Sequence, residues 1–156
     1  MKERVPNCIL AAEDSTNFPG VTAPADQGGL GFDLKWNMGW MHDTLEYFQL
    51  DPSARTDAYH KLTFSMMYAY NEHYLLPLSH DEGSAWKGDD SAEDERRLRT
   101  EIPTGTRHVR LYDAASGKKL NFMGNELGQL YEWSEAGTLD WALAERPFHR
   151  FSTACA

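Results

Sequence analysis

The chain has 156 residues, which is enough for one folded domain but short of the roughly 250 residues of a complete β/α barrel. Its content of 41% hydrophobic and 12% aromatic residues argues against a disordered chain. A formal charge of −9 disfavours nucleic acid and anionic membranes as partners. Because neither an apolar leader nor a membrane-length apolar run is present, we expect a soluble, cytoplasmic protein.

Four short apolar runs predict β-strands, and each of them ends near glycine or polar residues. Because these runs are apolar rather than alternating, they are typical of parallel strands covered on both faces. The predicted strands are residues 7–12, 31–36, 74–79 and 119–123.

Two helices are predicted between the second and third strands. Over residues 57–73, a stripe of apolar side chains recurs at helical spacing, which predicts a long helix. A shorter helix is predicted over residues 40–48, ended by Pro52. The order of strand, helix and strand predicts an α/β fold with a parallel sheet covered by helices.

The remainder of the chain is less regular. Residues 88–99 form a charge run with acid-first pairs four residues apart, typical of a solvated helix face. Residues 104–116 show no clear period, and no structure is predicted for them. We predict one domain over residues 1–150 and a frayed or truncated tail over 151–156. The two cysteines lack ligand spacing, so no metal site is predicted.

Two acidic residues follow predicted strands, Glu13 after the first and Asp81 after the third. The carboxyl ends of parallel barrel strands converge on one mouth, so these carboxylates are candidates for a shared pocket. Paired carboxylates carry out glycosyl transfer, one as a proton donor and others as stabilising anions. From spacing alone, helix capping or surface hydration remains the alternative for both acids. His80 could donate to a sugar hydroxyl or be an ordinary histidine at a strand end.

Four motifs in the same order carry a resemblance to a known family. The motif around Glu13 resembles the acid/base stretch on the fifth barrel strand of 1,4-α-glucan (glycogen) branching enzymes, in the α-amylase clan. The other three are similar to that family's sixth, seventh and eighth strands, with Lys35-Trp36-Asn37 at the centre of the second motif. The four motifs are residues 12–22, 28–45, 76–82 and 117–126.

The resemblance implies the C-terminal part, strands 5 to 8, of a TIM-type β/α barrel. It implies that Glu13 is the general acid/base, that Asp81 stabilises the transition state and that His80 binds substrate beside it. The implied reaction cleaves α-1,4 links and forms α-1,6 branches in glycogen with retention. The implied partner is an α-glucan such as glycogen or amylose, and no cofactor or metal is implied.

Two features depart from the family pattern. A retaining mechanism needs a nucleophile, which in this family is a fourth-strand aspartate, and residues 1–12 do not match its motif. We therefore expect the chain alone to be inactive and to need the missing N-terminal barrel half. After Glu82, residues 83–116 do not follow the family's sequence, so its seventh helix is not predicted here.

Trp36 and Trp40 are candidates for stacking on glucose rings, with buried packing as the alternative. The rival functions are another α-amylase-clan glycoside hydrolase and a non-catalytic glucan-binding or pseudoenzyme fragment. The Lys35-Trp36-Asn37-Met38-Gly39-Trp40-Met41 string favours branching over hydrolysis, whereas the missing nucleophile favours the pseudoenzyme.

Overall fold

A computed structural model describes residues 4–78, 115, 117–121, 127 and 134–145. Its strands are β1 (Ala11–Ala12), β2 (Leu34–Trp36), β3 (Tyr74–Leu78) and β4 (Lys118–Asn121). Its α-helices are α1 (Met38–Gln49) and α2 (His60–Thr63). Short 3-10 helices occupy Ala25–Gln27, Phe64–Met67 and Trp141–Glu145.

The four strands form one sheet in the order β1-β2-β3-β4, and every neighbouring pair is parallel. The predicted α/β class with a parallel sheet is therefore confirmed. All four predicted strands exist, but β1 and β2 are shorter than predicted. Ile9, within the predicted first strand, is 73% exposed, so the apolar run begins before the ladder does.

Helix α1 packs on one face of the sheet. Its N-terminus is capped by Asn37, whose Oδ1 accepts a hydrogen bond from the Trp40 amide at 2.9 Å. Trp40, Met41 and Leu45 are buried on one side of the helix and pack against Leu76 of β3. The predicted helix over 40–48 is confirmed, and the cap at Asn37 explains why it begins earlier.

Arg55 closes the other end of α1. Its guanidinium donates hydrogen bonds to the carbonyl oxygens of Leu50, at 3.0 Å, and Phe48, at 2.8 Å. Carbonyl oxygens at the end of a helix need donors from outside it, and a cation suits the negative end of the helix dipole. The extended backbone of Leu50, with ψ 147°, and the following Pro52 then end the helix as the sequence predicts.

The long helix predicted over residues 57–73 is wrong. Only α2 is α-helical, followed directly by the 3-10 helix Phe64–Met67, and turns, bends and irregular backbone occupy the rest. The predicted stripe explains the difference, because Tyr59, Met67 and Tyr70 are 64%, 81% and 86% exposed. An amphipathic pattern yields a long helix only when its apolar face is packed, and this face is largely solvent-exposed in the described structure.

Candidate active site

Glu13 directly follows β1, at the carboxyl end of the strand, and its side chain is exposed. It begins a connection over residues 13–33 whose only regular element is the 3-10 helix Ala25–Gln27. The position of Glu13 relative to the sheet is therefore decided by how this connection is held. Two buried charged side chains, Lys35 and Glu72, hold it at separate points.

The sheet register shows which face Glu13 shares with other residues. Leu76 and Leu78 of β3 pack against α1, so Leu75 projects from the opposite face by strand alternation. Trp36 is the register partner of Leu75 and projects from that same opposite face. Extending the β1–β2 register by one residue sets Glu13 level with Trp36. The backbone of Glu13 thus lies level with that of Trp36, at the carboxyl ends of neighbouring strands.

Lys35 holds the first part of the connection. Its ammonium lies 3.0 Å from Asp14 Oδ2 and donates to the Thr16 carbonyl oxygen at 2.9 Å, with the Phe18 carbonyl oxygen at 3.5 Å. Its side chain is only 5% exposed, so these oxygens replace the water that the ammonium loses. Thr16 stabilises the other partner of the ion pair: its amide and its hydroxyl donate to the Asp14 carboxylate.

The Asp14 carboxyl has a lowered pKa. The Thr16 amide hydrogen bond is the largest cause, followed by the Thr16 hydroxyl and then by Lys35. Donors and a nearby cation both favour the ionised form of a carboxyl group. Asp14 is therefore an anion under ordinary conditions, which suits its pairing with a buried ammonium.

Glu72, two residues before the start of β3, holds the second part of the connection. Its carboxylate accepts hydrogen bonds from the Val21 amide at 2.9 Å, from the Thr22 amide at 2.8 Å and from the Thr22 hydroxyl. Burial raises the pKa of Glu72, but these bonds and one from Gly20 together lower it below its usual value. The carboxylate is thus charged in the folded chain although its residue is only 9% exposed.

Lys35 and Glu72 were not singled out as site residues from the sequence. A signal existed for Lys35, because a lysine between Leu34 and Trp36 interrupts a strand predicted to be buried. A buried lysine requires a paired acid or carbonyl oxygens. For Glu72 no such signal exists, since its partners Val21 and Thr22 are about fifty residues away in sequence.

A cavity of about 570 Å³ lies elsewhere, between the sheet and the segment that follows α1. The start of each of β2, β3 and β4 lines it, together with Leu62 and Met66. Trp40 lines this cavity and is 4% exposed within the α1 core, whereas Glu13 and Trp36 are not among the described residues that line it. The cavity and the carboxyl end of β1 are therefore separate places in the molecule.

Asp81 and His80 lie outside the described residues, as do residues 88–99, Cys155 and the predicted tail over 151–156. Leu78, the last residue of β3, is described and precedes His80 by two positions. The pairing of Asp81 with Glu13 thus stays a prediction.

Two absences concern only the described part of the chain. Within it, no group of three or more His, Cys, Asp or Glu side chains is arranged to hold a metal ion. No helix among these residues is long and apolar enough to cross a membrane.

Comparison with known proteins gives a consistent set of relatives. The chain is 50% identical to the 1,4-alpha-glucan branching enzyme GlgB of Corynebacterium jeikeium, and the match covers 87% of the chain. The chain is similar to part of a branching enzyme. The enzymes of that name from Leifsonia xyli and Bordetella pertussis are 46% and 49% identical over 95% and 93% of the chain. The resemblance predicted from the four motifs is confirmed.

The chain spans about a fifth of the length of the branching enzymes that it matches, namely 19% of the Corynebacterium protein and 20% of the other two. It therefore corresponds to a fragment of those enzymes. No protein-family model matches the chain.

Proposed function

We propose that this chain supplies strands five to eight of the catalytic β/α barrel of a 1,4-α-glucan branching enzyme. Neighbouring strands in sequence are neighbours in the sheet, and all run parallel, which is the arrangement of consecutive barrel strands. A doubly wound sheet would instead reverse its strand order at a switch point. The similarity of nine-tenths of the chain to branching enzymes supports the same assignment.

In this proposal Glu13 is the general acid/base. It protonates the glycosidic oxygen as the α-1,4 bond breaks, and it then takes the proton from the 6-hydroxyl of the acceptor chain. The observation that carries the assignment is its position, since Glu13 directly follows the end of a parallel strand. Catalytic residues of barrel enzymes lie at that end of the strands. Its exposure leaves the carboxyl group accessible to a polymer substrate.

Asp81 and His80 complete the proposed site after β3. Asp81 stabilises the oxocarbenium-like transition state through the sugar ring, and His80 donates a hydrogen bond to a sugar hydroxyl. The nucleophile that forms the covalent glycosyl intermediate comes from the rest of the complete enzyme. The substrate is an α-glucan such as glycogen or amylose, the protein acts in the cytoplasm, and the chemistry needs no cofactor.

The two tryptophans have different assignments. Trp36 keeps part of its ring accessible on the face that Glu13 shares, so we assign it a stacking role against a glucose ring. Trp40 packs with Met41 and Leu76 on the other face, and its role is to fix α1 on the sheet. Substitution of Trp36 by Leu should therefore cost more free energy of glucan binding than free energy of folding.

A chimeric enzyme tests the proposal. Residues 4–145 replace the matching segment of the Corynebacterium relative, and branching of amylose is followed by the loss of iodine absorbance. The chimera should branch, while Glu13→Gln and Asp81→Asn should each lower the rate by about 10² to 10⁴, the usual contribution of acid–base groups. Asp26→Asn, an exposed carboxylate in the same connection, is the matched control and should keep the parent rate.

An active Glu13→Gln chimera would remove Glu13 from the acid/base role. A folded chimera without branching activity would instead favour a non-catalytic glucan-binding fragment. A chimera that releases reducing ends without making α-1,6 links would favour a hydrolase of the same clan.

A further inference from the structure

We infer that Lys35 is a positioning residue for Glu13, because it contacts the residue on each side of Glu13. Its backbone is the ladder partner of Ala12, the residue before Glu13. Its side chain pairs with Asp14, the residue after Glu13. This inference rests on the proposed acid/base role of Glu13.

The two contacts restrict Glu13 in different ways. The β1–β2 ladder fixes where the strand ends, but β1 is only two residues long, so the ladder alone leaves the following backbone free to turn. The ion pair and the bond to the Thr16 carbonyl oxygen fix the direction in which the chain leaves the strand. Together they define the backbone on both sides of Glu13, and therefore the region its carboxyl group can reach.

The chemistry of the buried ammonium makes this anchor stiff. Lys35 has three N–H donors, and three oxygens from the connection surround it, two of them at 2.9 and 3.0 Å. Releasing the connection would leave a charge with 5% exposure unpaired, which is costly. The Asp14 carboxylate is further held by the amide and hydroxyl of Thr16. The connection is therefore tied to β2 at the point where the proposed reaction needs an accurately placed proton donor.

Glu72 provides a natural comparison within the same connection. It is also a buried charge that holds backbone, but it binds Val21 and Thr22, eight and nine residues beyond Glu13. Its loss should lower stability without selectively displacing Glu13. Comparing variants at Lys35 and at Glu72 therefore distinguishes a loss of Glu13 positioning from a loss of general support for the connection.

The leaving group of the donor distinguishes positioning from folding. When an α-1,4 link in amylose breaks, the bonding electron pair goes to the departing oxygen, which also needs the proton of Glu13. When an α-maltooligosyl fluoride reacts, the enzyme nucleophile forms the same ester at the anomeric carbon, and fluoride departs as an anion without a proton. A displaced Glu13 therefore slows the first reaction and spares the first turnover of the second.

The experiment compares four chimeras, the parent and its Lys35→Met, Glu13→Gln and Glu72→Gln variants. Lys35→Met should lower kcat on amylose by about 10 to 100-fold, the scale expected for a small misplacement of a catalytic group, with KM within about twofold. Its rate of fluoride release in the first turnover should stay within about threefold of the parent rate. Glu13→Gln should show the same split between the two donors with a larger loss on amylose. Glu72→Gln should affect both donors equally.

Equal losses on both donors for Lys35→Met, or no loss on amylose, would overturn the inference while leaving the proposed function intact. An unaffected Glu13→Gln variant would overturn the proposed function instead. If Lys35→Met does not fold, Asp14→Asn removes the other partner of the pair from a more exposed position and must show the same split between donors.

Discussion

Helix α1 and the segment after it, residues 50–73, carry apolar residues at similar helical spacing and yet have different structures. In α1, Met41 is fully buried, and the helix continues for twelve residues. In the following segment, Met67 is 81% exposed, and the α-helix ends after four residues. Helix length here therefore follows the availability of a packing surface and not the spacing of apolar residues.

The two regions are joined by a small number of polar contacts. Asn37 Oδ1 accepts the Trp40 amide that begins α1 and also the Tyr68 hydroxyl at 3.3 Å. Lys61 of α2 pairs with Glu46 of α1 at 2.9 Å, on a partly exposed surface. Glu72 binds Val21 and Thr22 of the connection over residues 13–33, so it ties the second region to a part of the chain outside α1. The contacts of Asn37 and Lys61 offer a way to change one region and observe the other.

The largest effect on stability should come from truncating Met41 of α1, and Met67 of the second region provides the comparison. Met41→Ala should destabilise the chain by about 2–5 kcal/mol, because it leaves a cavity between α1 and the sheet. Met67→Ala should change stability by no more than about 0.5 kcal/mol, since the side chain is exposed. Urea unfolding of both variants measures the difference. Equal effects would mean that the second region is packed as tightly as α1.

Glu72 should make the second region sensitive to acid. Its pKa is lowered in the folded chain, so its contribution to stability is complete above the unfolded value of 4.5 and is lost as the pH falls through the lower folded value. Glu72→Gln should cost about 1–3 kcal/mol at pH 7, because donors from Val21 and Thr22 lose a charged acceptor.

Urea unfolding at pH 7, 5 and 3 checks this pH dependence. The difference in free energy of unfolding between the parent and Glu72→Gln should have its full size at pH 7 and pH 5 and should decrease towards pH 3. A difference that is independent of pH would contradict the assignment of a charged carboxylate to this site.

Asn37 should contribute less, although it serves both regions. Asn37→Ala removes the cap of α1 and leaves the Tyr68 hydroxyl without this acceptor, so we expect a loss of about 0.5–2 kcal/mol. Tyr68→Phe removes only the weaker bond and should cost less than half as much. Thermal unfolding followed by circular dichroism measures both variants. If Tyr68→Phe proves the more damaging, the cap is not the main role of Asn37.

The smallest effect concerns the contact of Gly39 with Tyr68. A Cβ at position 39 would lie 2.8 Å from the Tyr68 hydroxyl, which must then move. Gly39→Ala should therefore be close to neutral in the parent chain, because the cost of moving the Tyr68 hydroxyl offsets the gain in helix propensity. In a Tyr68→Phe background the same change should stabilise α1 by about 0.5–1 kcal/mol through helix propensity. A double-mutant cycle measures the coupling, and additive effects would argue against the contact.

The fold could be predicted to the level of its elements but not of their ends. Apolar runs correctly identified four parallel strands because strands buried on both faces lack polar alternation. The run at 7–12 overstated β1, since ladder pairing with β2 and not hydrophobicity decides where a strand begins. The helix over 57–73 failed for a related reason, because periodicity cannot report whether a partner surface exists.

The candidate site was predicted in part. Glu13 was identified from the strand that precedes it and from the surrounding motif, and the structure describes it at the carboxyl end of β1. Lys35 and Glu72 could not be assigned as anchors, because their acceptors and donors come from loop backbone that only folding brings near. Backbone groups carry no sequence signal, so hydrogen bonds to them are invisible in the sequence.

The amino-acid sequence alone was sufficient to predict the class of fold, four strands along the chain and the resemblance to branching enzymes, because these depend on local composition and on motif order. The folded chain was needed to show which apolar stripe is packed, where β1 begins and how two buried charges hold residues 13–22. Burial and charge pairing depend on residues distant in sequence, which come together only when the chain folds.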